Sequence, residues 1–225
     1  MLQFNHFFDL DECEYRDIFQ DGDLVWDGLK RIPDYVKTNL KPSIQGNLSP
    51  LAVVEENVAI GAGTVVEAGA VIKANTIVGK NCQIRSGAYI RGNVLIGDRC
   101  TIGHTTELKN CLIFNDVELP HFVYVGDSIL GGKCHLGAGV KISNLKVDRS
   151  SVKVKIAGQI YDTGLVKFGA IVGREVEIGC NCVLNPGTLI GKRTLVYANS
   201  SLRGYYPGNS IVKLRQSYEI VERRN

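Results

Sequence analysis

Residues 48–108 read LSPLAVVEENVAIGAGTVVEAGAVIKANTIVGKNCQIRSGAYIRGNVLIGDRCTIGHTTEL. Stepping by six from Leu48 lands on Val54, Ile60, Val66, Ile72, Val78, Ile84, Ile90, Ile96, Ile102 and Leu108, eleven apolar positions in a row. Four residues after each anchor comes a small or slim side chain: Ala52, Val58, Thr64, Ala70, Thr76, Cys82, Ala88, Val94, Cys100 and Thr106. Such a repeat cannot be helical, because six residues do not return to one face of a 3.6-residue turn. It suits a triangular coil of short parallel strands, with the large residue inside each wall and the small one tucked near the corner.

The pattern extends in both senses. Ile113, Leu119, Val125, Leu130, Leu136 and Ile142 continue it with two steps shortened to five, Leu108 to Ile113 and Val125 to Leu130. It resumes at Val166, Val172, Ile178, Leu184, Ile190, Val196 and Leu202. These 24 hexads, at three per turn, predict about eight coils, stacked at the ~4.8 Å spacing of paired strands. Domain organisation follows: an α-helical N-terminal cap over residues 1–45, a β-helix over 46–206, and an extended tail over 207–225. Within the cap, the spacing of Leu24, Leu29 and Ile32 predicts a helix with Asp23 as N-cap and a break or new start at Pro33. Its expected use is to close the open edge of the first coil. Residues 143–165 lose the repeat's chemistry; Val152, Val154, Ile156, then Ala157-Gly158, then Ile160 read as a hairpin extruded from the coil.

Composition agrees with an all-β chain: 64 Val, Ile or Leu and 25 Gly stand against one Met and one Trp among 225 residues. Its apolar runs are too short for a membrane span, and no secretory leader precedes them, so a cytoplasmic protein without membrane attachment is expected. Seven Cys lack paired spacing, and Cys82, Cys100, Cys134 and Cys182 occupy the small slot, so packing rather than disulfide or metal chemistry is their reading. Residues 141–225 carry fourteen bases and six acids. That excess attracts an anionic small molecule without forming the dense basic stripe of a nucleic-acid binder.

Residues at one hexad position, three hexads apart, stack on one wall. Arg91 and Lys109 therefore lie outward on adjacent coils, beside an outward column of Tyr89, Glu107 and Tyr124. This patch offers cations for a phosphate, a carboxylate for an amine or hydroxyl, and a phenol. His121 follows Pro120, which fixes the local backbone, and the two shortened steps bracket it. From position alone His121 reads first as a solvated surface residue, and the neighbouring patch is what favours a functional one.

The stretch YIRGNVLIGDRCTIGHTTELKNCLIFNDVELPHFVYVGDSILGGKCHLGAGVKISN (89–144) resembles the hexapeptide-repeat acyltransferases. It is similar in particular to the acetyltransferase half of bifunctional N-acetylglucosamine-1-phosphate uridyltransferases/glucosamine-1-phosphate N-acetyltransferases. VKFGAIVGREVEIGCNCVLNPGTLIG (166–191) is similar to the C-terminal coils of archaeal-type sugar-1-phosphate nucleotidyltransferases. The resemblance implies a left-handed winding, a homotrimer with sites between subunits, and acetyl-CoA as donor to an amino-sugar phosphate with no metal. It implies His121 as general base, Arg91, Glu107, Lys109, Tyr124 and Asn144 at the acceptor, and Arg174 where the family's Ser meets coenzyme A. His135 stands where the family has Asn, and Leu145 where it has Tyr. Lys192, with Arg193 and Arg203, is a basic candidate for coenzyme A phosphates. No L-x-x-G-x-G-T-R stretch occurs in residues 1–45, so no nucleotidyl transfer is expected. Two other readings stay open on the residues: a non-catalytic scaffold or regulatory subunit, and a zinc enzyme of the carbonic anhydrase type using His104, His121 and His135.

Overall fold

The computed structural model describes residues 2–223. Its body is a left-handed parallel β-helix whose strands stack in three walls. The first wall runs from Ser43–Ile44 through Val58–Ile60, Thr76–Val78 and Val94–Ile96 to Thr188–Ile190 and Tyr205–Tyr206. The second holds nine strands, from Asn47–Leu48 to Ile211–Val212. The third begins at Val53–Val54 and ends at Ser201–Leu202.

The anchors form internal columns. Val54, Ile72, Ile90, Leu108, Val125, Ile142, Leu184 and Leu202 pair rung by rung on the third wall alone. From Ile60 onward the anchors of the first run are almost fully buried. Each buried Val, Ile or Leu contributes at most about 1.5–3 kcal/mol relative to exposure. Corners need left-handed backbone, which Asn tolerates better than other residues with a Cβ; Asn57, Asn75 and Asn93 take it in successive coils at φ 59°, 61° and 50°.

Nine rungs stand where eight were expected. Ser43–Ile44 precedes the regular register and Ile211–Val212 follows it, so the helix begins inside the segment read as cap and ends inside the segment read as tail. Val166 is not an anchor; it is 50% exposed, and the register resumes at Val172. The two shortened steps have one cause. Ile90-Arg91-Gly92-Asn93 spans a corner in four residues, whereas Leu108-Lys109-Asn110 and Val125-Gly126-Asp127 lack the counterpart of Gly92. The strands Glu107–Ile113 and Tyr124–Leu130 therefore run from the third wall onto the first, bent only at Asn110 and Asp127, φ 46° and 47°.

At that same corner, one coil later, the chain leaves after Ile142 and rejoins at Ala170. The excursion is longer than 143–165 because Leu145 and Lys167 still bridge each other at its base. The hairpin Lys153–Ile156 and Gln159–Asp162 turns on Ala157 and Gly158, both at positive φ, as a tight primed turn requires.

The N-terminal segment does not sit over the first coil. It lies along the first wall as a lateral panel, because that wall's outward column is apolar: Ile77, Leu95, Leu112, Ile129, Ile171 and Leu189 stack in register. Phe7, Phe8, Ile18, Trp26, Leu29 and Ile32 cover it in a second core, joined by Val152, Val154 and Ile156 of the hairpin. Tyr15 Oη donates to the Ile96 carbonyl at 2.9 Å across the interface. The helix runs over Asp27–Asn39 with Pro33 inside it, and its N-cap position is Trp26. Asp23 instead accepts from the Gln20 amide and pairs with Arg31, so neither the N-cap nor the break at proline is realised. The ends of the expected ranges, residues 1 and 224–225, lie outside the described residues.

All seven cysteines are free, and every one but Cys180 is buried. Burial raises the Cys13 and Cys134 thiols to about 12.

Candidate functional site

The corner between the second and third walls carries the candidate chemistry. His104 and His121 lie in register on adjacent coils at the end of the second wall. His104 Nδ1 is 2.7 Å from the Ser86 carbonyl, while the exposed ring of His121 lies 6.3 Å from that of Phe122. Phe122 takes φ 54° and stands edge-on to His104 at 5.5 Å. Tyr89, Glu107, Tyr124 and Lys141 follow on the third wall, each in register with the next.

A concavity of about 480 Å³ opens there, lined by Glu107, Phe122, Tyr124, Lys141, Ser143 and Asn144 among others. The Tyr124 ring folds over Gly126, where a Cβ would stand 2.6 Å from the phenol oxygen and 2.7 Å from Asn144 Nδ2. Any larger residue would push both side-chain ends aside. Burial first, and then the nearby Glu107 and Asp127 carboxylates, raise the Tyr124 phenol above its ordinary range, so the hydroxyl stays protonated.

Arg91 and Lys109 stack as the hexads predict, and each already faces a carboxylate. Arg91 Nη1 donates to Glu107 at 2.9 Å, an exposed pair worth about 0–1 kcal/mol and readily exchanged for another anion. Lys109 Nζ meets both carboxylate oxygens of Asp127, at 3.2 and 3.1 Å. Asp127 is only 4% exposed and also accepts from Asn110 Nδ2 at 2.8 Å and from Asn144 Nδ2. This buried carboxylate, which the sequence reading passed over, ties Lys109, Asn110 and Asn144 together. Its signal was present: it occupies the corner position held by Asn57, Asn75, Asn93 and Asn110 in preceding coils, an acid at the end of an asparagine column. Lys141 was passed over too, though it stacks on Tyr124.

Arg174 and Lys192 are not part of this group. They lie at the corner between the first and second walls, where they hold the N-terminal panel: Arg174 pairs with Glu12, Asp9 and Glu175, and Lys192 with Asp9. The Arg174 amide donates to the Phe7 carbonyl at 2.8 Å. In the structure these two side chains serve to dock the N-terminal panel. The three histidines do not converge either, since His135 Nδ1 sits 3.0 Å from Glu118 and His104 is engaged by Ser86. Among the described residues no group of three or more His, Cys, Asp or Glu side chains could hold a metal ion, and no helix is long and apolar enough to cross a membrane.

A solenoid of hexads with this corner defines a class, and the chain belongs to the hexapeptide-repeat acyltransferase family. It is 34% identical over 169 residues to the putative uncharacterized acetyltransferase YaiX of Escherichia coli, covering 73% of each chain. It is also 32% identical over 200 residues to the bifunctional protein GlmU of Methanococcus vannielii, matching 89% of this chain and 48% of that protein. Against GlmU of Methanococcus maripaludis the match is 34% over 124 residues, 30% of that protein. The chain thus spans about a third to a half of the bifunctional relatives it matches. Residues 72–163 match the family described as the GMPPB C-terminal domain. Among solved structures, an Arabidopsis UDP-N-acetylglucosamine acyltransferase superposes with a TM-score of 0.41 at 16% identity, over 74% of this chain and 69% of that one.

Proposed function

We propose that the protein is an acetyl-CoA-dependent N-acetyltransferase acting on an amino-sugar phosphate, with His121 as general base. The observation that carries this reading is the stacking of Arg91, Glu107, Lys109 and Tyr124 on consecutive rungs of the wall that follows the His121 corner. An ammonium cannot attack a thioester, so the acceptor amine must lose a proton; a positioned imidazole supplies about 10²–10⁴-fold in rate by taking it. Arg91, in its exchangeable pair with Glu107, is suited to the acceptor phosphate. Glu107, released by that exchange, is then free to accept from a sugar hydroxyl or ammonium. Tyr124 and Asn144, held by Asp127 through Asn144 Nδ2, border the acceptor's face of the concavity. The amine attacks the thioester carbonyl, coenzyme A leaves as the thiolate, and the proton held on His121 returns to it, so no covalent enzyme intermediate forms.

The family and its named acetyltransferase relatives support the donor; a homotrimer belongs to the same reading. The test is thiol release from acetyl-CoA with glucosamine 1-phosphate and galactosamine 1-phosphate. His121→Ala is expected to abolish transfer with an unchanged melting temperature, and normal turnover in that variant would refute the base. No thermal shift with millimolar acetyl-CoA would favour the scaffold reading.

A further inference from the structure

A second concavity lies beyond the acceptor group. Ser143 lines both the concavity beside Tyr124 and a neighbouring one of about 380 Å³ under the base of the excursion. Lys146, Pro186 and Arg203 in turn line both that space and a more enclosed pocket of about 230 Å³ beneath the hairpin. The three form one groove between the third wall and the extruded segment. Its far end is strongly cationic. Lys146, Lys153, Lys155 and Arg203 line the hairpin pocket, and among the described residues no carboxylate does.

These cations are held in place. Along Lys153–Ile156 exposure alternates, so Val154 and Ile156 anchor the strand in the second core while Lys153 and Lys155 share the other side. Gly187 allows the hairpin to seat: a Cβ there would lie 2.7 Å from Val152 Cγ1. Two acids lie near, and one of them offsets a cation of the pocket. Asp148 accepts from the Ser150 amide and pairs with Lys146 at 3.4 Å. Asp162, across the hairpin from Lys153, accepts from Ser151 Oγ and the Gly164 amide. Among the described residues Lys153, Lys155 and Arg203 form no salt bridge; like charges clustered in this way are unfavourable, and a multivalent anion converts that cost into affinity.

We propose that the hairpin pocket is a diphosphate site, with Lys153, Lys155 and Arg203 as its ligands, for a nucleotide whose remainder extends along the groove toward Tyr124. The chemistry is shared by coenzyme A and by a nucleotide-activated sugar, and the pocket's charge holds whether or not acyl transfer occurs. The test is calorimetric titration of the full chain with pyrophosphate, UDP and coenzyme A at low and moderate salt. Wild type is expected to bind pyrophosphate below millimolar, and affinity is expected to fall about tenfold or more in Lys153→Gln/Lys155→Gln, and likewise in Arg203→Gln. His121→Ala is expected to bind pyrophosphate as wild type does, which separates this site from the catalytic reading. Tighter coenzyme A than UDP assigns the diphosphate to the donor, and the reverse assigns it to the acceptor. Absence of pyrophosphate binding at 5 mM (roughly the weakest affinity such a charged pocket should show), or unchanged affinity in both variants, would overturn the proposal.

Discussion

Gly103 is where successive coils come closest beside His121. A Cβ at this position would stand 1.7 Å from the Pro120 carbonyl oxygen and 2.2 Å from its carbonyl carbon. Reaching even a tight 3.0 Å contact demands that the carbonyl retreat by about 1.3 Å. Pro120 has a fixed φ and cannot absorb this by rotation about that bond, so the next residue, His121, moves with it. A misplacement of ~1 Å at a catalytic group costs about 10²-fold, and overpacking of backbone on backbone about 2–4 kcal/mol. Gly103→Ala is therefore expected to lower kcat/KM for acetyl transfer about hundredfold and the melting temperature by roughly 5–10 °C. Gly173→Ala is the control: its Cβ would meet the Lys192 amide nitrogen at 2.7 Å, at the corner remote from His121. It should lose stability and keep kcat within about threefold. The assay is initial-rate thiol release alongside thermal denaturation by circular dichroism. A Gly103→Ala enzyme with wild-type kcat, or an equal loss in Gly173→Ala, would refute the link between rung spacing and the position of His121.

Other expectations concern the panel and the buried groups. Trp26 packs against Phe168 at 6.2 Å and Tyr161 at 6.3 Å; Trp26→Ala should cost about 3–5 kcal/mol in urea denaturation, and a loss under 1 kcal/mol would mean the panel is only loosely bound. Asp9 and Glu12 carboxyls are held below their ordinary values of 3.8 and 4.5, chiefly by hydrogen bonds from Lys192 and Arg174 respectively. Because the folded values are depressed, this docking contribution is complete above the ordinary values and is lost as pH falls through them and below. Trp26 fluorescence should accordingly change at higher pH than the β-sheet dichroism does, and coincident transitions would contradict the assignment. Asp127→Ala leaves Lys109 without its buried partner and should cost about 3 kcal/mol, measured by the same denaturation. An aromatic disulfide reagent should react rapidly with one thiol, Cys180, and with the others only after unfolding; two fast equivalents would mean a second cysteine is accessible.

The solenoid could be read from sequence because its period is set by covalent geometry: a wall of two or three strand residues plus a corner repeats whatever else the chain does. The patch was legible for the same reason, since three hexads return Glu107 to Tyr124 in register. What escaped were features defined by the residue beside the anchor. Ile77, Leu95, Leu112, Ile129, Ile171 and Leu189 each precede an anchor of one wall only, so their apolar column is visible at every third hexad and invisible at each single one. An uncovered column of that kind demands a partner, and the N-terminal segment supplies it. The docking contact of Arg174 escaped because local sequence cannot reveal a partner such as Glu12, 162 residues away. Asp127 was missed because an acid in a glycine-rich corner looks like an ordinary turn residue until its neighbours across coils are known.

The panel also fixes how long the molecule can be. Solenoids tolerate gain or loss of whole turns, since every rung offers the same edge to the next. Here Phe7 lies 6.4 Å from Tyr205 on the last rung of the first wall, while Tyr15 bonds to Ile96 five rungs earlier. A continuous stretch of nine residues thus gauges that interval like calipers. Any duplicated or deleted turn between those two points would throw the aromatic grips out of step with the wall beneath them, so lengthening or shortening is free only outside the gauged span.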